Sequence, residues 1–573
     1  MKIKKTFLVL FLIVVLAFIL RFMVAQTVEI VPDEIVYSLL PWKIISAQRL
    51  STVEGGPLFS YLIDIGYTVF GEVNATSTRL PSIFFGSLTV ILVYLFSLKM
   101  FDNKKAALFS SLLFALSGYA LENNTEPDMT AFFFAFLSMY FFLFFLEGKR
   151  NYLYLSTISL TLAILCKSLP LLFLSAYLLV FVFHAKGYFS GNQNTRIKID
   201  IKLLKTIFGC LTIAVLLLMP AIMYNYLEFK NNGKTENIVS TFLGVGEHFH
   251  PGNSQIDPWS FQVLKDLLKS SPDQFFYPDP IIIILGIIGT VLLFSRKIPA
   301  YFLLLLSLLS LVFYMGGITG SKTHYLFIPL ALSIFAGYTV ERISNHLKAK
   351  FKIRWAYFGL VLIIVIFSLF QFYTIVSNKS ANMQLREYVV ENVPRESIIV
   401  MDPRIYFGNY AWILNERHYL NGIYFQKILD QIAGSAGSKI EVPFYYIECS
   451  GDTTCGWKIE DYERITPFAE SLTEYMKKNL VYAHEIDADH HFFIHRGTIA
   501  APLSVLQSID STHVFWGYSI GWESPENNID NYLLEGSNKF FHMVGLFFLY
   551  LDLLLALIAI PLLFLLLWKS EEK

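Results

Sequence analysis

The sequence is poor in charged residues and in cysteine. Charged residues make up 16% of its 573 residues, whereas soluble domains contain about 25%. Hydrophobic residues make up 55% and the mean hydropathy is +0.52, so the composition is that of an integral membrane protein. The formal net charge is zero, and no global basic field therefore indicates nucleic acid as a partner.

The four cysteines are too few for a disulfide framework. Cys166 and Cys210 lie in apolar runs, where cysteine is typically a small core residue. Cys449 and Cys455 lie in the polar segment ECSGDTTCGW. These two cysteines either close a short disulfide loop or remain free thiols.

Apolar runs of about 20 residues, the length that crosses a bilayer, predict about 12 transmembrane helices. They lie at residues 6–25, 79–99, 105–121, 128–146, 152–166, 169–184, 205–226, 280–295, 299–316, 325–340, 355–376 and 541–568. The fifth and sixth are separated only by CKSLP and are either two short spans or one broken helix. The first run resembles a signal peptide, but its length and the lack of an A-x-A-like site indicate an uncleaved helix.

Lysine and arginine in the connections predict the orientation of these helices. With the N-terminus in the cytoplasm, the alternate connections are all basic: KMFDNKK, EGKR, AKGYFSGNQNTRIKIDIKLLK, SRK, ERISNHLKAKFKIR and the tail KSEEK. We therefore predict cytoplasmic termini and a multi-pass protein of the cell membrane. The remaining connections, including a first outer loop (26–78) and a second (227–279), then lie on the extracytoplasmic face.

We predict three parts along the chain. Residues 1–376 form a transmembrane domain, 377–540 an extracytoplasmic soluble domain, and 541–573 a transmembrane anchor with a cytoplasmic tail. The soluble segment mixes strand-like runs, SIIVMD and VPFYYIE, with the helical AESLTEYMKKNL, which indicates an α+β domain. The stretch after Gly55 is amphipathic and aromatic, as expected of a helix lying in the membrane interface.

Carboxylates stand where two spans meet the outer face. Asp33 and Glu34, in EIVPDEIVYSLLPW, follow the first span, and Asp128, in TEPDMTAFFF, begins the fourth. A carboxylate there can accept the proton of an attacking group or stabilise an oxocarbenium-like centre. Alternatively, all three simply place negative charge at a helix N-terminus or cap it.

Cationic and hydroxyl groups occupy the same face. Lys167, in ILCKSLP, either meets a lipid phosphate or snorkels to head groups. Lys322, His324 and Tyr325, in GSKTHYLFIPL, either bind a phosphate or belong to an interfacial belt. Because the buried helices are otherwise nearly free of charge, we expect a site at the membrane–water boundary rather than the mid-membrane site of a transporter.

Glu54 and His248 are candidate ligands for a divalent metal. Glu54 precedes a Gly-Gly-Pro turn, and His248 lies in GEHFHPG of the second outer loop. A carboxylate and an imidazole together suit zinc, magnesium or manganese. Alternatively, both are solvated loop side chains, since they are distant in the sequence.

The order of these segments resembles a known family. The acidic pair is followed by GGPLFSYLIDIGYTVFGE, STRLPSIFFGSLTVILVYLFSLKMF, EPDMTAFFFAFLSMYFF, ILCKSLPLLFL and HYLFIPLALSIFAGY. Over about residues 5–340 the chain resembles the GT-C membrane glycosyltransferases of the protein O-mannosyltransferase and lipid A aminoarabinose transferase superfamily. The resemblance implies transfer of a sugar from a polyprenyl-phosphate carrier (dolichol or undecaprenol) at the outer face, usually with inversion, and no nucleotide cofactor.

The resemblance also implies roles for particular residues. Asp33 and Glu34 match an essential acidic pair, and Asp128 matches an acid at the start of the fourth span. Lys167 matches a lysine that meets the carrier phosphate, although CKSLP departs from the family's T-K-G-P. Tyr325 matches a tyrosine near a late Y-x-x-P motif.

A possible metal set follows from the aminoarabinose branch. Glu54 and His248 fall at its metal-binding positions, but Gly55 replaces the lysine that follows the glutamate there. The acceptor can be a protein, a lipid or a glycan. Two other functions stay open: a transporter or flippase of lipid-linked sugars, and a non-catalytic subunit of a glycan-assembly complex.

Overall fold

The structure is a computed structural model, which describes most of the chain. The described residues are 5–28, 56–71, 75–124, 127–189, 200–235, 247–248, 278–315, 322–352, 355–405, 418–422, 425–435, 438–450, 455, 462–505 and 536–572.

Helices dominate the first 377 residues. In chain order they are α1 (Lys5–Val24), α2 (Pro57–Phe70), α3 (Ala75–Phe101), α4 (Lys104–Ala115), α5 (Gly118–Glu122), α6 (Pro127–Leu146), α7 (Tyr152–Cys166), α8 (Leu174–Ala185), α9 (Ile201–Leu217), α10 (Met219–Asn232), α11 (Pro280–Phe294), α12 (Pro299–Met315), α13 (Phe327–Phe351) and α14 (Ala356–Ser377). Short 3-10 turns cover Leu169–Phe173 and Lys322–Tyr325, and the two-residue strands β1 (Lys234–Thr235) and β2 (Glu247–His248) pair in parallel.

A sheet with its own helices and a final long helix complete the chain. The elements are α15 (Ala381–Asn392), β3 (Ile398–Met401), β4 (His418–Asn421), α16 (Phe425–Gly434), β5 (Lys439–Cys449), α17 (Tyr462–Asn479), β6 (Val481–Asp487), β7 (His491–Pro502) and α18 (Gly536–Glu572).

Several helices are long and apolar enough to cross a membrane. Within the described ranges these are α1, α3, α6, most of α14 and α18, and the α9–α10 pair, bent by 54°, forms a sixth candidate. Five shorter apolar helices accompany them. The protein is therefore a multi-pass membrane protein, and the count of about 12 spans stays a prediction. The predicted fifth and sixth spans are separate helices, because the chain leaves α7 at Lys167 before the next turn begins.

Helix α6 lies at the centre of the helical bundle. Its sequence PDMTAFFFAFLSMYFFLFFL is apolar on every side, and nearly all of its side chains are buried, as expected of a helix surrounded by others. It packs against α3 and α7. Because the whole helix is enclosed, the acidic residue at its start is enclosed with it.

Different polar residues lie at the two ends of the bundle. At one end, Glu571 accepts hydrogen bonds from Tyr94 (2.5 Å) and Lys104 (3.0 Å), and Arg150 forms a bidentate pair with Asp200 (2.9 and 2.8 Å). We call this the basic end. The opposite end, which carries Asp128, Lys167 and Tyr325, is called the site end.

Residues 398–502 contain a five-stranded sheet in the order β4-β3-β5-β7-β6. The strands β4, β3 and β5 are parallel, and β7 and β6 continue the sheet antiparallel. Alternate residues of β3 and β5 face α15 on one side and α16 and α17 on the other, which is the period of two expected of strands. A disulfide joins Cys449 to Cys455 beside the sheet. The predicted domain boundaries at 376 and 540 stay predictions.

The sheet is attached to the bundle at the site end. Ser380 N donates to Thr27 O (3.1 Å), and Ala381 N donates to the Asp489 carboxylate in the β6–β7 turn. A cleft of about 720 Å³ opens beside this junction, lined among others by Val28, Glu122, Lys379, Gln384 and Asp487. The turn that follows α1 therefore contacts the segment that leads into the sheet.

Candidate functional site

Asp128 and His324 form a hydrogen-bonded pair at the site end. Asp128 is the second residue of α6, and its side chain is 0% exposed. His324 lies in the 3-10 turn before α13 and places Nδ1 2.9 Å from Asp128 Oδ1. Since the His324 side chain is 15% exposed, the carboxylate orients an imidazole whose other side is closer to solvent. Asp128 therefore does more than cap the N-terminus of α6.

Lys167 brings a cation to the same carboxylate. It is the first residue after α7, where an extended backbone (φ −156°, ψ 143°) ends the helix. Its side chain is buried and interacts electrostatically with Asp128. The structure therefore brings Asp128 and Lys167 together with His324, which the sequence analysis had assigned only to a phosphate-binding or interfacial cluster.

The start of α2 packs directly against the end of α7. Gly56 N donates to Cys166 O at 3.0 Å, and a Cβ atom at Gly56 would lie 1.6 Å from Leu165 O. Only glycine allows this approach, because any side chain would overlap the Leu165 carbonyl. The segment that carries Glu54 thus ends beside Lys167, although Glu54 itself lies outside the described residues.

Two buried tyrosines line the site end near Asp128. Tyr325 follows His324, and burial raises the pKa of Tyr325. Burial also raises the pKa of Tyr119 well above its usual value, with smaller contributions from Tyr325, Asp279 and Asp128 nearby. Both phenols are therefore neutral hydroxyl groups that can donate a hydrogen bond.

Asp279 fixes the short helix that carries Tyr119. It accepts hydrogen bonds from Ser117 Oγ (2.5 Å), Gly118 N (2.8 Å) and Tyr119 N (3.2 Å). Burial raises the pKa of Asp279 to about 7, an effect that these hydrogen bonds partly offset. The sequence pattern did not single out this residue, whose only signal was an acid directly before the apolar run of α11.

The first outer loop leaves the bundle at this same end. Arg79 Nη1 donates to Ala25 O (2.8 Å) and to Val28 O (3.2 Å), which holds the last described residues before the acidic pair. Asp33 and Glu34 lie outside the described residues. Their place in the site stays a prediction that rests on the position of Val28.

The side chains of the proposed metal ligands and of Lys322 lie outside the described part of the chain. The structure describes the backbone of His248, in β2, and of Lys322, but not their side chains. Within the described ranges, no group of three or more histidine, cysteine, aspartate or glutamate side chains is placed to hold a metal ion. A metal held by Glu54 and His248 therefore stays a prediction.

Two charged residues interrupt the apolar runs of membrane-spanning helices, in addition to those at helix ends, so the expectation of nearly uncharged helices is incomplete. Arg21 of α1 is 1% exposed; its Nη1 donates to Ala17 O, and it lies over the Phe114 ring. Its Nε and Nη2 have no hydrogen-bond partner in the described part of the chain. Asp552 of α18 is the second. A single charge within a long apolar run is the sequence signal that identifies both.

Comparisons with known proteins agree with this architecture. The family description dolichyl-phosphate-mannose-protein mannosyltransferase matches residues 54–224. The structure of ArnT from Cupriavidus metallidurans in the apo state is similar, with a TM-score of 0.50 and 14% identity over 85% of this chain and 97% of that one. The structure of the same protein bound to undecaprenyl phosphate matches with a TM-score of 0.50 and 13% identity over the same shares. No curated protein matches the chain.

The chain has the fold of the GT-C membrane glycosyltransferases, and the expected resemblance is confirmed. The matched family segment runs from just before α2 into α10, and it includes Asp128 and Lys167. The segment that resembles the mannosyltransferases therefore contains both the buried aspartate that is hydrogen-bonded to His324 and the neighbouring lysine.

Proposed function

We propose that the protein transfers a sugar from a polyprenyl-phosphate carrier to a protein, lipid or glycan acceptor at the extracytoplasmic face, with inversion. The observation that carries this proposal is the Asp128–His324 hydrogen bond beside Lys167, at the ends of α6, α7 and the turn before α13. A bound form of the similar ArnT holds undecaprenyl phosphate, and the matched family uses a dolichyl-phosphate sugar by its description.

The reaction needs charge stabilisation on the leaving phosphate. The acceptor oxygen or nitrogen forms a bond to the anomeric carbon while the bond from that carbon to the phosphate oxygen breaks, and the electron pair leaves with the carrier phosphate. Lys167 supplies a cation for this oxygen, and Tyr325 supplies a neutral hydroxyl donor. Lys322 is the second proposed cation.

The acceptor proton goes to a base on the other side of the sugar. Asp33 is our proposed base, and Glu34 assists or orients it. Asp128 is too deeply buried to touch substrate directly, so we assign it to orient His324. The imidazole then contacts the phosphate or the sugar with its remaining nitrogen, Nε2.

The cleft beside the sheet supplies a route for the acceptor. Glu122 lines this cleft and belongs to the same short helix, α5, as Tyr119, which contacts the site. An acceptor entering here would approach from water, opposite the lipid chain of the donor. A divalent metal (zinc, magnesium or manganese) on Glu54 and His248 would add charge stabilisation, and no step depends on it here.

The test is release of carrier phosphate by purified protein from a polyprenyl-phospho-sugar, in the presence of host membranes as a source of acceptor. Asp33→Asn is expected to abolish release while leaving the folded protein intact, and Asp64→Asn, a change of the same kind on α2, should leave it unchanged. A fully active Asp33→Asn protein would refute the assignment of the base. Movement of lipid-linked sugar across sealed vesicles with no bond broken would refute the enzyme in favour of a transporter.

A further inference from the structure

The final helix carries an acidic side chain within its apolar length. Asp552 stands in FFLYLDLLLALIAIPLLF, and its residue is 0% exposed. Neither carboxyl oxygen has a hydrogen-bond partner in the described part of the chain. An unpaired carboxyl group in such surroundings is costly, and a buried acid at membrane depth is by default a candidate for function.

Asp552 lies at the depth of the site. Glu571, 19 residues later on α18, contacts Tyr94 and Lys104 at the basic end. At about 1.5 Å per helical residue, this separation is about 28 Å, close to the thickness of about 30 Å of a bilayer's hydrocarbon core. The carboxyl group therefore lies about that far from the basic end, on the side of the bundle where the lipid-linked phosphate and its sugar are expected.

The neighbours of Asp552 belong to the site end. Its carboxylate interacts electrostatically with Cys166, the last residue of α7, whose carbonyl accepts the hydrogen bond from Gly56. Two residues before it, Tyr550 meets Tyr61 of α2 edge to face, with ring centroids 5.8 Å apart. Asp552 thus lies near the junction of α2 and α7, where it interacts with Cys166, the residue directly before Lys167 in the chain.

The chemistry of the Asp552 carboxylate indicates which part of the donor it contacts. A carboxylate repels a phosphate, and it accepts hydrogen bonds from hydroxyl groups. We propose that Asp552 binds hydroxyl groups of the sugar on the polyprenyl-phosphate donor, next to the phosphate that Lys167 holds. This inference rests on the proposed function and assigns its sugar contact to α18, a helix outside the part that resembles the mannosyltransferases.

Three lipids with the same chain and phosphate, one without a sugar and two with different sugars, separate the sugar contact from the phosphate contact. Dolichyl phosphate reports the phosphate and chain alone, whereas dolichyl-phosphate mannose and dolichyl-phosphate glucose add a sugar. Binding of each is measured with the full-length protein in lipid nanodiscs. The wild type is expected to bind at least one sugar-bearing lipid about 10-fold more tightly than dolichyl phosphate.

Asp552→Leu is expected to weaken that sugar-bearing lipid about 10- to 100-fold, the range for a lost hydrogen bond to a charged group. Binding of dolichyl phosphate should not change, and the thermal midpoint should stay equal or rise, because an unpaired buried carboxyl group is removed. Leu554→Ala, an exposed position on the same helix, is the control and should change neither affinity.

Three results would overturn the inference. If Asp552→Leu binds each of the three lipids as tightly as the wild type does, the carboxyl group does not contact the sugar. Equal weakening of all three lipids would indicate damage to the carrier site. A wild type that binds dolichyl phosphate but prefers neither sugar would remove the sugar contact while leaving the proposed function standing, whereas a wild type that binds none of the lipids would refute the proposed function itself.

Discussion

Replacing Gly56 by alanine tests the contact that brings the first outer loop to Lys167. The added Cβ atom would lie 1.6 Å from Leu165 O, and such contacts are essentially never shorter than 3.0 Å, so the backbone has to open by about 1.4 Å (3.0 − 1.6). Forced overpacking costs about 1–3 kcal/mol, and loss of the hydrogen bond from Gly56 N to Cys166 O adds about 1 kcal/mol.

This displacement should lower the rate of sugar transfer more strongly than it lowers the stability of the folded protein. A misplacement of about 1 Å can cost about 100-fold in rate, so we expect Gly56→Ala to lower the rate of carrier-phosphate release by about that factor. The assay compares release rate with thermal midpoint for the same preparation. The release rate is measured at saturating donor, so that a slower reaction is not confused with weaker donor binding.

A matched control exists on α14. Gly359 has no atom within 4 Å of its added Cβ, and alanine is favoured over glycine in a helix by about 1 kcal/mol. Gly359→Ala should therefore keep its release rate and gain slightly in stability. If Gly56→Ala releases carrier phosphate at the wild-type rate, the close packing of α2 on α7 does not position the site.

Three further predictions follow from other contacts. Because the pKa of Asp279 is about 7 in the folded protein and lower when unfolded, the folded state holds the extra proton, and stability should be highest near pH 4 and fall as the pH rises to 7; Asp279→Asn should flatten this thermal-midpoint profile, and an unchanged profile would exclude Asp279 as its source. Lys167→Ala should weaken binding of undecaprenyl phosphate about 10- to 100-fold, with partial recovery in Lys167→Arg; equal binding by all three proteins would exclude the phosphate contact. Replacing both Cys449 and Cys455 by serine should cost about 2 kcal/mol for their short loop, a loss that reductant should reproduce in the wild type and not deepen in the variant.

The sequence predicted the helical, membrane-spanning class of the fold because apolar runs follow directly from composition. It also selected Asp128 and Lys167 as candidates, since each stands at the boundary of an apolar run; the structure places them close together, and their roles stay predictions. Local pattern could not reveal that His324 bonds to Asp128, because their pairing joins positions 196 residues apart. The network around Asp279 was hidden for the same reason, as Ser117 and Gly118 are distant in the chain.

Asp552 shows a different limit of prediction from the sequence. The acid is visible within LYLDLLL, and a rule for charges in spans would have selected it. Its depth and its neighbour Cys166 follow only from the packing of α18 against the other helices. Asp33 and Glu34 represent the opposite case: the resemblance gives them a role, and their geometry lies outside the described residues.

The hydrogen bond from Ser380 to Thr27 has a consequence for synthesis of the protein. Thr27 emerges from the ribosome early and immediately precedes the acidic loop, whereas its partner follows α14. The entry to the loop is therefore secured only after the bundle helices have been inserted, and Asp552 arrives later still. Nascent chains interrupted before residue 380 would therefore contain Asp128, Lys167 and His324 without the hydrogen bond that holds the entry to the first outer loop.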